Sequence, residues 1–263
     1  MAFDNKKPFD NKKGGFKKKF DNNRPKRQPR EEEVKVWTPK TQLGRDVLAG
    51  KYSNMRDVIL SGQSILEGEI IQHLIPDLSS EFVNLGQAKG KFGGGKRKSS
   101  KATQKITREG SRMSFAMLNL IGNKDGIVGF GYGKASETVP SREKSLKAAK
   151  KNVIMIRRGC GDWGCFCGTA HSIPFETEGR EGSVLVRLMP APKGTGLVVE
   201  AELKKMLELA GIKDVWSKTI GNTGNKINLI KAGFKALDNL QKMRMTPAMM
   251  EGRGIKDGDK DEW

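Results

Sequence analysis

Acidic residues are too few for the basic ones: 30 Asp and Glu stand against 49 Lys and Arg, a formal charge of +19. Self-repulsion of that size adds nothing to the stability of a free globular protein. Its usual reason is a polyanionic partner, either nucleic acid or an anionic membrane surface. Long apolar runs are also missing. The longest, about Met113 to Gly122, is broken by Asn119 and falls far short of the roughly 20 residues a spanning helix needs. The N-terminus is charged from Asp4 onward and lacks the apolar stretch of a signal peptide. These absences exclude a membrane role and leave nucleic acid. Cysteine is scarce, and its three copies crowd between Cys160 and Cys167. An odd, clustered set is no disulfide framework, so a reducing, cytoplasmic setting is expected. Hydrophobic residues reach only 36 %, which predicts a folded middle with solvated ends.

Composition divides the chain. Residues 1–33 carry the tandem repeat FDNKK-P-FDNKK, and within 1–30 eleven Lys and Arg face three Asp. Such a segment buries too little surface to offset its chain entropy. It reads as a disordered basic tail, either solubilising or ordering on RNA. Residues 34–85 read as a helical extension, with Ser53 and Ser64 as caps. The stretch 86–103 reads as a flexible Gly/Lys-rich loop, since 86–108 holds eight Lys and Arg and no acid. A first unit, 104–158, follows. Met113–Ile121 is a strand, Gly122–Gly126 a hairpin turn, and Ile127–Lys134 the returning strand. Alternation puts Gly129, Gly131 and Gly133 on one face of that strand, where a helix or another backbone can approach closely. The pattern is G-x-G-x-G within a strand, unlike the dinucleotide fingerprint G-x-G-x-x-G. A basic helix from about Pro140 to Ile156 completes the unit, with Leu146, Ala149 and Val153 inward.

A Cys-rich linker, 159–180, leads to a second unit, 181–240. It reads as strand Ser183–Met189, loop Lys193–Gly196, helix Val199–Ala210, strand Asp214–Thr219 and helix Lys226–Leu240. The tail 241–263 is Met-rich, then charged, and is expected to fray. The fold class is therefore α+β: two small domains, the second with strand–helix–strand–helix order, behind a disordered basic tail.

Two long strings carry a resemblance: SRMSFAMLNLIGNKDGIVGFGYGKASETVPSREKSLKAAKKNVI at 111–154 and GSVLVRLMPAPKGTGLVVEAELKKMLELAGIKDVWSKTIGNTGN at 182–225. With RRGCGDWGCFCGTAHSIPFETEG at 157–179, the chain resembles the universal S-five family of the small ribosomal subunit, archaeal type. The resemblance implies a first domain akin to the double-stranded-RNA-binding fold and a second domain with a left-handed crossover. It implies contact with small-subunit rRNA, with the S-four and S-eight protein families, and with mRNA near the channel through which mRNA enters. It also implies a structural role, without enzymatic activity, that shapes the decoding region and influences accuracy. By the same resemblance Arg108–Arg112 reaches rRNA, and Lys193, Gly194, Thr195 and Gly196 border a neighbouring protein. Glu109 departs from the more basic bacterial loop.

Candidate phosphate contacts are Lys105, Arg108, Arg112, Lys124, Lys134, Arg142, Lys147, Lys150, Lys151, Arg157 and Arg158. Seven cations lie in 142–158 against Glu143 alone, more than a solvated helix face requires. Cys160, Cys165, Cys167 and His171 offer the donors of a closed, structural Cys3His zinc site. The C-x-C spacing suits zinc less well than C-x2-C, and buried thiols with His171 packing alone is the competing reading. Two other functions remain open at this point. One is a free double-stranded-RNA-binding adaptor or ribosome-assembly factor. The other is a zinc enzyme of nucleic acid, which would need a carboxylate base such as Asp162 or Glu176.

Overall fold

The computed structural model describes residues 37–87, 95, 97–165 and 167–258. The basic tail 1–33 and residues 88–94 and 96 of the Gly/Lys-rich stretch lie outside the described residues. The extension folds as three short helices, α1 (Gln42–Leu48), α2 (Met55–Leu60) and α3 (Glu69–Leu74). The expected caps are displaced: Thr41 caps α1 by accepting from Gly44 N–H at 3.2 Å, while Asn54 and Gly68 precede α2 and α3. Leu43, Val47, Met55, Val58, Ile70 and Ile71 bury together against Ile127, so the extension packs on the first domain as a small core of its own.

The strands of the first domain are β1 (Ser79–Phe82), β2 (Gly86–Gln87), β3 (Arg97–Lys98), β4 (Ser100–Thr107), β5 (Gly110–Gly122) and β6 (Ile127–Ala135). Helix α4 (Thr138–Lys151), β7 (Val153–Met155) and β8 (Arg157–Arg158) follow. The second domain has β9 (Thr177–Glu181), β10 (Val184–Pro190), β11 (Leu197–Val198), α5 (Ala201–Leu209), β12 (Val215–Ile220) and α6 (Lys226–Lys242). Last come α7 (Pro247–Gly252) and β13 (Lys256–Asp257). β1, β5, β6 and β7 form one antiparallel sheet, and β4 pairs the N-terminal half of β5 on the edge that β1 shares. The second sheet runs β11-β12-β10-β9, with β11 and β12 parallel around α5. Among the described residues no helix is long and apolar enough to cross a membrane.

The glycine stripe of β6 decides how α4 sits. A Cβ on Gly131 would overlap the Ala149 nitrogen and the Ser145 carbonyl oxygen, and one on Gly133 would overlap Ser141 and Ser145 backbone. The helix therefore rests its backbone on the strand. Its buried face is Ser141, Ser145 and Ala149; of the expected stripe Ala149 is buried, while Leu146 and Val153 are half-buried. Small residues are needed where the backbones meet, and the Ser141 hydroxyl donates to the Gly133 and Phe115 carbonyls, each at 3.0 Å. The helix ends at Lys151 because Val153 pairs with Gly129 in β7.

On the sheet's other face Leu118, Leu120 and Val128 join Val184, Val186, Leu203, Leu207, Ile230 and Leu237 in one core spanning both domains. Phe130 meets Phe234 edge-on at 4.6 Å. The β5–β6 turn docks too: Lys124, at φ +63, donates its N–H to the Leu209 carbonyl at the end of α5 at 2.9 Å. In the second domain Gly179 of β9 lies under α6, where a Cβ would overlap Ala232 and Ala236 backbone. Glu202 is buried and receives Asn84 N–H and Nδ2 at 3.0 Å and Lys205 at 2.9 Å. Burial opposes its charge, yet these donors hold its pKa below the usual range.

Several boundaries differ from expectation. β4 begins at Ser100, inside the segment expected to be a loop, and β9 lies in the segment expected to be linker. The tail does not fray as far as 258. β13 pairs antiparallel with β8, Ile255 is buried, and Arg157 Nε donates to Asp257 at 2.6 Å.

Gly131→Ala is expected to cost about 1–3 kcal/mol or more through overpacking, lowering the urea midpoint at constant slope. Gly252→Ala, where a Cβ meets nothing within 4 Å, is the near-neutral comparison. Arg157→Ala should cost about 1.5–3 kcal/mol, the range for a charged hydrogen bond. It should also speed amide exchange at 253–258 while leaving β5 protected; unchanged exchange there would refute the role of the pair.

Candidate nucleic-acid interface and metal centre

β4 and the first half of β5 form a two-stranded ribbon turning at Arg108–Glu109, with Thr107 opposite Gly110. β4 alternates neither apolar residues nor burial: Lys101–Ile106 are exposed throughout except at the ends of the strand, and Ile106 is 84 % exposed. Lys105 faces Arg112 across the ladder. Arg112 pairs with Glu109, but both side chains are about three-quarters exposed, at 73 % and 75 %. Such a pair contributes little and leaves the guanidinium available to a phosphate. An isolated ribbon is marginal in water, so its length and charge make sense against a partner surface.

Lys124 and Lys134 are exposed on β5–β6, and Arg142, Lys144, Lys147 and Lys151 are exposed on α4. The Arg142 guanidinium lies 5.7 Å from the centre of the Phe82 ring. Lys150 is half-buried, and burial lowers its pKa against the opposing pull of Glu69. Among the described residues no ion pair holds Lys105, Arg108, Lys134, Arg142, Lys147 or Lys151. Arg157 and Arg158 are different. Arg157 is bound to Asp257 and the Met243 carbonyl, and Arg158 contacts Asp125 and the Lys124 carbonyl. They tie the tail and the β5–β6 turn together and do not extend the α4 face, a distinction that a count of charges along the sequence cannot make.

The structure brings all four predicted metal ligands together. The sulfurs of Cys160, Cys165 and Cys167 and a ring nitrogen of His171 lie within 4.8 Å of one another. Around a tetrahedral zinc such atoms stand roughly 3.5–3.8 Å apart, given bonds of about 2.3 Å to sulfur and 2.0 Å to nitrogen. Small side-chain rotations cover that difference. Cys160 is buried and Cys165 and Cys167 are half-buried. Burial, then the neighbouring Cys167 and Cys165, push the Cys160 thiol up to about 11. The Thr169 hydroxyl, 3.1 Å from Cys167 Sγ, draws that thiol down to about 6.

His171 is 5 % exposed and doubly fixed. Its carbonyl accepts from Lys213 and Asp214 N–H at 2.8 and 3.1 Å, and its Nδ1 lies 2.8 Å from Asp214 Oδ2. With a carboxylate as acceptor, Nδ1 carries the proton and the Nε2 lone pair faces Cys165 Sγ, 3.9 Å away. Asp214 is the residue that sequence reasoning missed. It precedes β12 without any motif, and only the fold brings it to His171. Its other oxygen, Oδ1, accepts from Gly194 and Gly196 N–H at 3.1 and 2.8 Å, which places the Lys193–Gly196 loop directly behind the Cys3His cluster. Thiol, imidazole and carboxylate in this order also make a nucleophilic triad. Two further thiols around the same imidazole are what a metal needs and a nucleophile does not. Glu176, one carboxylate considered as a base, is paired with Arg187 at 3.1 Å.

Comparison with known proteins adds the family. The model for "Ribosomal protein S5, N-terminal domain" matches residues 99–157, and that for "Ribosomal protein S5, C-terminal domain" matches residues 179–253. The four candidate ligands lie in the segment between the two. Proteins named small ribosomal subunit protein uS5 align over most of the chain. The one from Nanoarchaeum equitans is 42 % identical over 225 residues, covering 86 % of this chain and 96 % of its own. That from Methanothermobacter thermautotrophicus is 40 % identical over 222 residues, covering 84 % and 96 %. That from Sulfurisphaera tokodaii is 44 % identical over 211 residues, covering 80 % and 91 %. With both of its domains matched in order and relatives above 40 % identity across four-fifths of its length, the chain belongs to the ribosomal protein S5 family.

Proposed function

We propose that this chain is a structural, non-enzymatic constituent of the small ribosomal subunit that binds and orders small-subunit rRNA. The observation that carries the reading is the exposed basic ribbon β4–β5, continued by the exposed cations of α4, in a chain of this family. Neither surface has internal carboxylates enough to neutralise it, and phosphates supply the missing charge. The ribbon with β6 and α4, a sheet covered on one face by a basic helix, is akin to the double-stranded-RNA-binding fold, which grips phosphates and 2′-hydroxyls by shape. By family likeness the site is the decoding region and the channel through which mRNA enters, with proteins of the S-four and S-eight families as neighbours and with an influence on accuracy. The loop Lys193–Gly196 is the proposed contact with a neighbouring protein. A free double-stranded-RNA-binding adaptor is separated by sedimentation: a ribosome-resident protein stays with small subunits through a moderate salt wash, and an adaptor does not.

Binding to a small-subunit rRNA fragment should weaken with salt, with a log–log slope of about 0.7–0.9 per released counterion. Replacing Lys105, Arg108 and Arg112 together with Ala should reduce the magnitude of that slope by about 2–3. A slope left unchanged by the triple substitution would place the phosphate contacts elsewhere.

The cofactor reading is a structural zinc held by Cys160, Cys165, Cys167 and His171. Its support is the convergence of four donors with an imidazole whose second nitrogen is held by a carboxylate. A bound zinc would cross-link the segment 160–171 and leave no open position for chemistry. Protein purified under reducing conditions should carry one zinc per chain, and Cys165→Ser should lose it. Metal-free wild-type protein that takes up no added zinc would sink this reading.

A further inference from the structure

We infer that Asp214 couples metal occupancy at the Cys3His site to the conformation of the loop Lys193–Gly196, so that zinc sets the shape of a surface some residues away from its ligands. The inference rests on the zinc reading above and goes beyond it, because a structural zinc by itself need only hold residues 160–171.

The loop has little else to fix it. Gly194 and Gly196 stand at φ +93 and +74, and Lys193 and Gly194 are exposed. Its internal bonds are confined to Thr195, whose N–H and hydroxyl both meet the Pro192 carbonyl, at 3.3 and 2.8 Å. The remaining inward N–H groups, those of Gly194 and Gly196, converge on the single oxygen Oδ1 of Asp214. That carboxylate is buried and cannot turn without losing partners on both sides, because its second oxygen holds Nδ1 of His171. A metal on Nε2 draws electron density from the ring and makes Nδ1–H a stronger donor, which strengthens the hold on the carboxylate. The opposite direction follows from linkage: whatever ordering zinc gives the loop, the ordered loop returns as zinc affinity. Gly196 also passes the constraint on. Its carbonyl accepts from Val215 N–H at 3.2 Å, and the next residue, Leu197, starts β11, paired in parallel with β12.

Asp214 is thus a positioning residue with two acceptor faces. An asparagine there has one acceptor and one donor. Either its amide faces the glycine N–H groups, donor against donor, or it faces Nδ1–H of His171 in the same way. One side is broken in each case.

The test uses the full-length chain with zinc ion alone as the probe, in the wild type and in Asp214→Asn. Zinc affinity is read by competition with a chromophoric chelator, and amide exchange is read for peptides spanning 192–197, with α4 as the internal control. In the wild type, zinc should slow exchange at 192–197 about tenfold, the scale of one charge-assisted hydrogen bond, and leave α4 unchanged. In Asp214→Asn the affinity should fall about 10–100-fold and the zinc-dependent protection of the loop should vanish. Stoichiometric zinc binding with no change in wild-type loop exchange overturns the coupling while leaving the zinc site standing. Wild-type affinity in Asp214→Asn overturns it as well. Absence of zinc binding to the wild type is the separate failure, that of the metal site itself, and removes the coupling with it. The wild-type exchange comparison needs no variant, so a misfolded Asp214→Asn does not protect the inference.

Discussion

The close seat of α4 on β6 is the constraint from which the rest of the architecture follows. Three alternate glycines clear the side chains from the middle of one face of the strand, and Ser141, Ser145 and Ala149 answer with small groups. Where backbone meets backbone there is no room for an apolar side chain. Leu118, Leu120, Val128 and Phe130 lie on the other face. There they need a cover, and the second domain supplies it with α5 and α6. The two family domains are therefore not beads on a string. They share a core, and the Lys124–Leu209 hydrogen bond seals its rim. The second domain uses the same device in reduced form, with Gly179 under Ala232 and Ala236 of α6.

What was legible in the sequence was whatever periodicity and turn chemistry carry. β5, β6, the turn between them, α5 and α6 stand close to where the apolar pattern puts them, and G-x-G-x-G was read as a surface for close approach, which it is. The elements that escaped share a physical trait: their pairing rests on backbone hydrogen bonds and leaves no pattern in the side chains. β4, with the sequence SKATQKIT, is exposed along nearly its whole length. β9, TEGRE, contributes a glycine where other strands contribute a valine. β13 has two residues, both charged. The overrun of α4 has another cause. Val153 fits the helical period, and only its tertiary pairing with Gly129 tells strand from helix.

The Cys3His cluster is half legible in the sequence. Three thiols and an imidazole within twelve residues announce themselves in any sequence, and the chain does converge them. Asp214, 43 residues beyond His171, announces nothing. Its importance arises because His171 and the start of β12 lie side by side, with the His171 carbonyl accepting from both Lys213 and Asp214. Long-range second partners of this kind are selected by topology. They turn a cluster of donors into a site with a preferred tautomer.

Charge, finally, divides between the domains in a way the total of +19 conceals. In the second domain carboxylates and cations pair off: Glu178 with Arg187, Glu181 with Lys231 and Lys235, Glu200 with Lys226, Glu202 with Lys205, Asp238 with Lys242. Several of these pairs join separate elements, as Lys226–Glu200 joins the starts of α6 and α5. The first domain has hardly any such pairs, apart from the solvated Arg112–Glu109 contact on the ribbon and the Arg157 and Arg158 bonds that hold the tail and the turn. Among the described residues its cations Lys105, Lys134, Arg142, Lys147 and Lys151 form no ion pair. A domain that pairs many of its charges internally is suited to packing against its neighbours, and a domain that leaves them open is suited to phosphate. Among the described residues, the first domain's cations that stand in no ion pair include Lys105 and Arg108 on the ribbon, Lys134 on β6, and Arg142, Lys147 and Lys151 on α4, the helix that one row of glycines holds to the sheet.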